Sequence, residues 1–244
     1  NQDLSCQIAK NFITGKVFNA RWVIERVTRE HALSVDCNKL KNVSAQLQNF
    51  IYLIRGCESN EQLRGYEGEA ASLYFSVFDD MILQQKEHFY FNGRNKRPPL
   101  DNVNAMLSFI YTLLANNIAS ALETVGLDPY VGFLHTDRPG RISLALDMME
   151  EFRPVMADRF VLSLINKRVV SKEGFATREN GSVEMTDDTR KIILTQWQQR
   201  RQEKIKHPFL EEKIEWGLAP YIQALLLARF IRGDLDAYPP FMWK

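Results

Sequence analysis

Cysteine is scarce in this chain: Cys6, Cys37 and Cys57 are the only three among 244 residues, and they form no Cys-x-x-Cys pair. A zinc ribbon is thereby excluded and a disulfide framework disfavoured, which fits a reducing cytosol. Histidine is almost as rare, with four residues. None stands in a His-x-x-x-His or Glu-x-x-His arrangement, so neither a zincin nor a ferritin-like di-iron centre is supported. The chain also lacks Gly-x-x-x-x-Gly-Lys-Ser/Thr and Gly-x-Ser-x-Gly, which counts against a phosphate-loop nucleotide hydrolase and a serine esterase. Neither sign of charge dominates: 31 basic and 30 acidic residues leave a formal charge of +1. Any nucleic-acid partner would therefore need a local basic patch. There is no signal peptide, and the most apolar stretch, Ala219–Ile231, is too short for a membrane span and contains Pro220 and Arg229.

What remains is an ordinary globular composition, 45% hydrophobic and 25% charged, long enough for one large domain with a substantial core. Helical periodicity predicts helices over about 2–32, 38–56, 59–83, 101–125, 141–167, 186–206 and 211–232. Ser59, Asp101 and Thr186 stand at three of the starts as N-caps. The segments 103–118 and 222–231 are apolar enough to lie near the centre of a bundle. One β-hairpin is expected over 175–185, turning at Asn180-Gly181, and 84–100 reads as a polar loop. The fold class is mainly α: a helical bundle with one small β-hairpin. No repeat or linker divides the chain. It starts at Asn1 without Met and enters a helical pattern at once, which reads as a piece of a longer protein.

The chemistry concentrates in Val131–Pro154. His135 ends an apolar run, Arg138-Pro-Gly-Arg141 follows, and the next helix carries Asp147, Glu150 and Glu151 beside a stripe of Leu144, Met148, Phe152 and Val155. Asp147 and Glu150 lie on one flank of that stripe. By itself such a flank reads most simply as solvated. A second segment, Arg64-Gly65-Tyr66-Glu67-Gly68-Glu69-Ala70-Ala71-Ser72, puts two glycines in a helical run at a cost of roughly 1 kcal/mol each. Close packing on a neighbouring helix would account for them and would bury Glu67, which would then need an Arg, a metal or a shared proton. One imidazole with two or three carboxylates and no thiol suits Mg²⁺ or Mn²⁺. Arg138 and Arg141 suit a phosphate, or simply a solvated loop. His31, His88 and His207 have no acidic motif around them and read as surface residues.

Four motifs in order carry a resemblance over essentially the whole chain: Gly65-Tyr66-Glu67-Gly68 with Ala70-Ala71 and Tyr74-Phe75; Arg97-Pro98-Pro99 leading to Asn104-Ala-Met-Leu-Ser108; Gly126-Leu-Asp128-Pro-Tyr-Val-Gly-Phe-Leu-His135; and Arg138-Pro-Gly-Arg running to Asp147-Met-Met-Glu150-Glu151-Phe-Arg153. Together they resemble the CRISPR-associated protein one family, the CRISPR adaptation integrases and endonucleases. The resemblance implies the α-helical catalytic domain, with the family's N-terminal β-rich domain absent from this chain, and so places 1–244 in one domain. It implies Glu67, His135 and Glu150 as metal ligands for Mg²⁺ or Mn²⁺, Asp147 as an assisting catalytic acid, and Glu151 as structural. It also implies metal-dependent cleavage and joining of DNA, in which short fragments, the spacers, enter a CRISPR array by transesterification.

The implied partners are double-stranded and branched DNA, a second copy in the full-length protein, and a small ferredoxin-like CRISPR-associated protein, with no membrane. Candidate DNA contacts are Arg138, Arg141, Arg94, Lys96, Arg97, Arg200, Arg201 and Lys204, with Lys191 and Lys206 on the same segment. Trp197, Trp216 and Tyr221 fit core packing better than base stacking. The aromatic, Pro-containing segment 234–244 is a candidate docking tail. The alternative function is a catalytically inactive DNA- or partner-binding module of the same complex. A helical hydrolase of small phosphate esters is disfavoured by the motif order.

Overall fold

A computed structural model describes residues 2–135 and 138–244, with side chains from Leu4 onward. Helix α1 (Gln2–Glu30) runs through the middle of the domain and buries Ile8, Phe12, Ile13, Val17, Ala20, Val23 and Ile24. It packs along α2 (Cys37–Gly56), against α3 (Asn60–Phe75), and against α5 (Ser143–Phe152). Helices α2 and α3 start where N-caps permit. Asp36 accepts from the amides of Asn38 and Lys39, and Ser59 accepts from Gln62. Asp101 does the same for α4 (Asn102–Thr124), taking the Asn104 amide at 2.7 Å. By length and apolarity α4 could cross a membrane, but half of it is buried here against the bundle, including α5 and α8.

The bundle architecture and the hairpin between β1 (Phe175–Thr177) and β2 (Val183–Met185) are as expected, with Gly181 at φ +79° in the turn. Several boundaries differ. The helix expected over 59–83 ends at Phe75, and the chain continues through a single 3-10 turn at Asp79–Met81. The helix expected over 141–167 is interrupted. A π-helical turn, Arg153–Asp158, separates α5 from α6 (Arg159–Asn166). Pro154 has no N–H to continue the α ladder, and the Arg159 amide reaches back five residues to the Pro154 carbonyl.

Helix α7 (Asp187–Gln202) stops short of 206 because Lys204–Lys206 forms β3, paired with β4 (Lys213–Glu215) in a second hairpin that the helical reading had covered. Helix α8 (Ala219–Ile231) therefore begins late. His207, at the turn of this hairpin, is fully buried rather than on the surface. Its Nδ1 accepts from the amides of Phe209 and Leu210, and its ring meets Phe241 edge-on.

Trp197 and Trp216 are buried in the core, whereas Tyr221 stays 39% exposed. The C-terminal segment is not a free docking tail. Tyr238 and Phe241 are buried, the Tyr238 hydroxyl donates to the Glu151 carboxylate, and the Phe241 amide donates to Glu151 at 2.8 Å. Asn19 on α1 grips the same segment through the Phe241 carbonyl and the Trp243 amide. Glu151 is thus structural, as expected. Burial raises its pKa to about 7, against the three donors that favour its ionised form.

Candidate active site

Four elements supply the residues around the candidate carboxylates, and α1 adds one more. Helix α3 carries Glu67, α5 carries Asp147 and Glu150, the π turn carries Arg153, and the loop before α5 carries His135. Thr136 and Asp137, inside the Val131–Pro154 stretch, lie outside the described residues. Asp147 is fully buried and organises the loop. One carboxylate oxygen accepts from the amides of Phe133 and Leu134 at 2.6 and 2.9 Å. The other accepts from the His135 amide at 2.9 Å and lies 2.5 Å from His135 Nδ1. That contact leaves Nε2 as the imidazole nitrogen available to a ligand, the usual arrangement of a carboxylate behind a metal-binding histidine. Gly132 makes the approach possible, since a Cβ there would lie 2.8 Å from Ser143 Cβ and 3.0 Å from the Asp147 carboxylate.

Sequence reasoning missed the residue at the centre. Lys16, on α1 and 8% exposed, extends its ammonium between the two carboxylates, bonded to Glu67 Oε1 and 2.7 Å from Glu150 Oε2. Glu150 Oε1 is held by Arg153 at 2.7 Å. Burial opposes ionisation of Glu150. Arg153, Lys16 and, less strongly, His135 outweigh it and hold the carboxyl at about 2. Glu150 Oε2 is nevertheless buried without a well-directed hydrogen bond, so the ion pair to Lys16 leaves lone-pair capacity unused.

Behind these groups Arg153 lies over the Tyr111 ring at 4.9 Å, and the Tyr111 hydroxyl donates to Asp158 at 2.5 Å. Burial drives Asp158 up to about 6, although Tyr111 and Arg153 favour its charge. No sequence motif pointed to this support. Pro154 is the sequence signal that could have marked the break in the helix read over 141–167.

A donor set of one imidazole nitrogen and two carboxylates suits a hard or borderline divalent cation. A cation of some kind is already required where Glu67 and Glu150 meet, and here Lys16 supplies it. Among the described residues, no three His, Cys, Asp or Glu side chains converge closely enough to hold a metal ion as they stand. The donors fit, but they are drawn onto an ammonium.

The site opens into a cleft of about 700 Å³ lined by Lys16, Glu67, Gly68, Arg94, Lys96 and Arg153, among others. Lys96 also belongs to a second concavity of about 700 Å³, walled by Arg97, Arg138 and Arg141. Two sequence-distant basic segments are thereby brought together, and four cations face one space.

The other candidate contacts have partners within the chain. Arg94 turns inward to Asn104 Oδ1 and Ser108 Oγ at 2.6 and 3.0 Å and stacks on Tyr111. Arg200 pairs with Glu203 and covers Trp216, Arg201 contacts Gln198, and Lys204 pairs with Glu215. The glycines of α3 do not serve close packing. Gly65 and Gly68 are exposed, and a Cβ at either would meet nothing within 4 Å. Glu67 is accordingly half-buried, with 27% of its side chain exposed.

The family described as CRISPR associated protein Cas1 matches residues 1–199. The chain is 52% identical to CRISPR-associated endonuclease Cas1 1 of Chlorobaculum tepidum, over all of this chain and 71% of that one. It is 45% identical to CRISPR-associated endonuclease Cas1 of Leptospira interrogans, over 98% of this chain and 93% of that one. Among solved structures, a casposase bound to integration product superposes with a TM-score of 0.85 at 23% identity, covering this whole chain and 66% of that one. A partial Cas6-RT-Cas1–Cas2 complex gives 0.82 at 22%, covering this whole chain and 70% of that one. At these identities the two structures speak for the fold.

Proposed function

The chain belongs to the CRISPR associated protein Cas1 family, and on that premise we propose that it is the α-helical catalytic domain of a metal-dependent DNA endonuclease and integrase, which inserts short DNA fragments into a CRISPR array by transesterification. The observation that carries this reading is the pairing of Glu67 and Glu150 around a cation, in a cleft that Lys96 joins to a concavity walled by Arg97, Arg138 and Arg141.

Glu67, Glu150 and His135 through Nε2 would hold Mg²⁺ or Mn²⁺. When bound, the ion supplies Lewis-acid stabilisation of the scissile phosphate and lowers the pKa of the attacking hydroxyl or water. Asp147 keeps the His135 imidazole in the tautomer whose Nε2 lone pair is free. Arg153 holds Glu150 ionised without a proton to lose. Arg97, Arg138, Arg141 and Lys96 would position DNA phosphates along the concavity next to the cleft. With a 3′-hydroxyl as nucleophile the result is strand joining, and with water it is cleavage.

The proposed partners are double-stranded and branched DNA, a second copy of the full-length protein and a small ferredoxin-like adaptation protein. The solved complexes that contain Cas1 and Cas2 support the last of these. Glu67→Ala and His135→Ala should each abolish Mn²⁺-dependent cleavage and joining of branched DNA while circular dichroism stays unchanged. Full activity in either variant contradicts the assignment.

A further inference from the structure

We propose that Lys16 is a built-in counter-ion that occupies the cation position between Glu67 and Glu150, so that a divalent metal binds only by displacing its ammonium. The inference rests on the metal-site reading above and goes beyond it by assigning a competitor to the site.

Three observations carry it. The Lys16 ammonium contacts one oxygen of each carboxylate, bridging α3 and α5 from α1. Both oxygens belong to groups assigned to the metal. The Lys16 side chain is held at 10% exposure, so it does not reach the carboxylates by chance from the surface. Finally, the donors do not converge in a metal-binding set while Lys16 is in place, although their types suit one.

The electrostatics favour the exchange. Glu150 already has Arg153 on its other oxygen. A divalent ion placed beside the Lys16 ammonium between Glu67 and Glu150 would put three positive charges within a few ångströms, with Arg153 a fourth on Glu150. Asp158 and Asp147 lie close by but on Arg153 and His135, and like charges that near in a partly buried site repel strongly. Removing the Lys16 ammonium from between the carboxylates relieves that excess. Arg153 cannot play the same part, since its planar head is fixed between Glu150 and the Tyr111 ring, whereas Lys carries a single charge on a flexible stem. The side chain also lines the active-site cleft, which gives the displaced ammonium somewhere to go.

The experiment is calorimetric titration of Mn²⁺ into the metal-free chain, its Lys16→Met and Lys16→Gln variants, and Glu67→Ala, together with thermal unfolding of each with and without Mn²⁺. Two uncharged variants guard against one of them failing to fold. Both Lys16 variants should bind Mn²⁺ at least tenfold more tightly than the parent. Without metal both should melt at a lower temperature, because the carboxylates then repel without a counter-ion, and Mn²⁺ should raise their Tm more than it raises the parent's. Equal or weaker Mn²⁺ binding in the Lys16 variants overturns the proposal while leaving the metal site standing. Mn²⁺ binding that Glu67→Ala does not alter, or no binding in any of the proteins, overturns the metal-site reading itself and the proposal with it.

Discussion

Asp147→Asn is the substitution whose outcome is most fully determined by the geometry. Asp147 is sealed from solvent and accepts four contacts through two oxygens: the Phe133 and Leu134 amides on one, the His135 amide and Nδ1 on the other. An amide side chain has one acceptor and one donor head. If its NH₂ faces Phe133 and Leu134, two buried N–H groups point at a donor. If it faces His135, one N–H is left unmet, and the NH₂ donates to Nδ1.

The second arrangement is the cheaper one. An unsatisfied buried donor costs about 1–3 kcal/mol, and replacing charge-assisted bonds by neutral ones costs about 1 kcal/mol for each remaining contact. The total is roughly 4–6 kcal/mol, or a fall in Tm of roughly 10–20 °C for a domain of this size. It also forces the proton onto Nε2, the nitrogen assigned to the metal, so Mn²⁺ affinity should drop by about 10–100-fold. Thermal unfolding, Mn²⁺ titration and amide hydrogen exchange at Phe133–His135 check the three consequences together. Unchanged protection of those amides with unchanged Mn²⁺ affinity would refute the reasoning.

Three further outcomes follow from groups other than Glu67, His135 and Glu150. The Glu151 carboxyl titrates near 7 in the fold and near 4.5 when unfolded. The folded chain therefore binds the extra proton, and the stability linked to this group is fully present below about pH 4.5 and lost as pH rises through 7, by roughly 3 kcal/mol. Urea unfolding of the parent and of Glu151→Gln from pH 5 to 8 should show the parent losing ground steadily, and parallel curves would contradict it. Among the arginines that are candidate DNA contacts, Arg97→Ala should weaken DNA binding and flatten its log-salt slope by about one unit without altering stability. Arg94→Ala should instead destabilise the fold by roughly 1.5–3 kcal/mol through its lost bonds to Asn104 and Ser108. Indistinguishable stabilities for the two variants would count against the inward assignment of Arg94.

The candidate site residues stood out in the sequence through the motifs that carry the family resemblance, since spacing alone left Asp147 and Glu150 on a flank that reads most simply as solvated. A histidine at the end of an apolar run, an Asp and a Glu three apart on one helix flank, and a glutamate between two helical glycines are unusual enough to be singled out. Lys16 was not legible. It is one lysine in a long amphipathic helix, about fifty residues before Glu67, and only the packing of α1 against α3 and α5 puts its ammonium between their carboxylates. The glycines of α3 were misread for a related reason: sequence marks a missing Cβ but not whether a neighbour or a cleft fills the space, and here Gly68 borders the cleft. The second hairpin was hidden because Lys, Glu and Ile suit a helix as well as a strand, and the pairing that decides between them is not local. The C-terminal segment looked like a free tail because two of its anchors, Asn19 and Glu151, lie far away in sequence.

The central claim is that Glu67, His135 and Glu150 share one divalent cation. Anomalous diffraction at the manganese edge, from crystals grown in MnCl₂, tests it most directly. The account predicts a single strong peak within about 2–2.5 Å of His135 Nε2 and of one oxygen each of Glu67 and Glu150, with the Lys16 ammonium withdrawn from between the carboxylates. A peak bound elsewhere, or saturating Mn²⁺ with Lys16 still bridging Glu67 and Glu150 and no metal beside them, would contradict it.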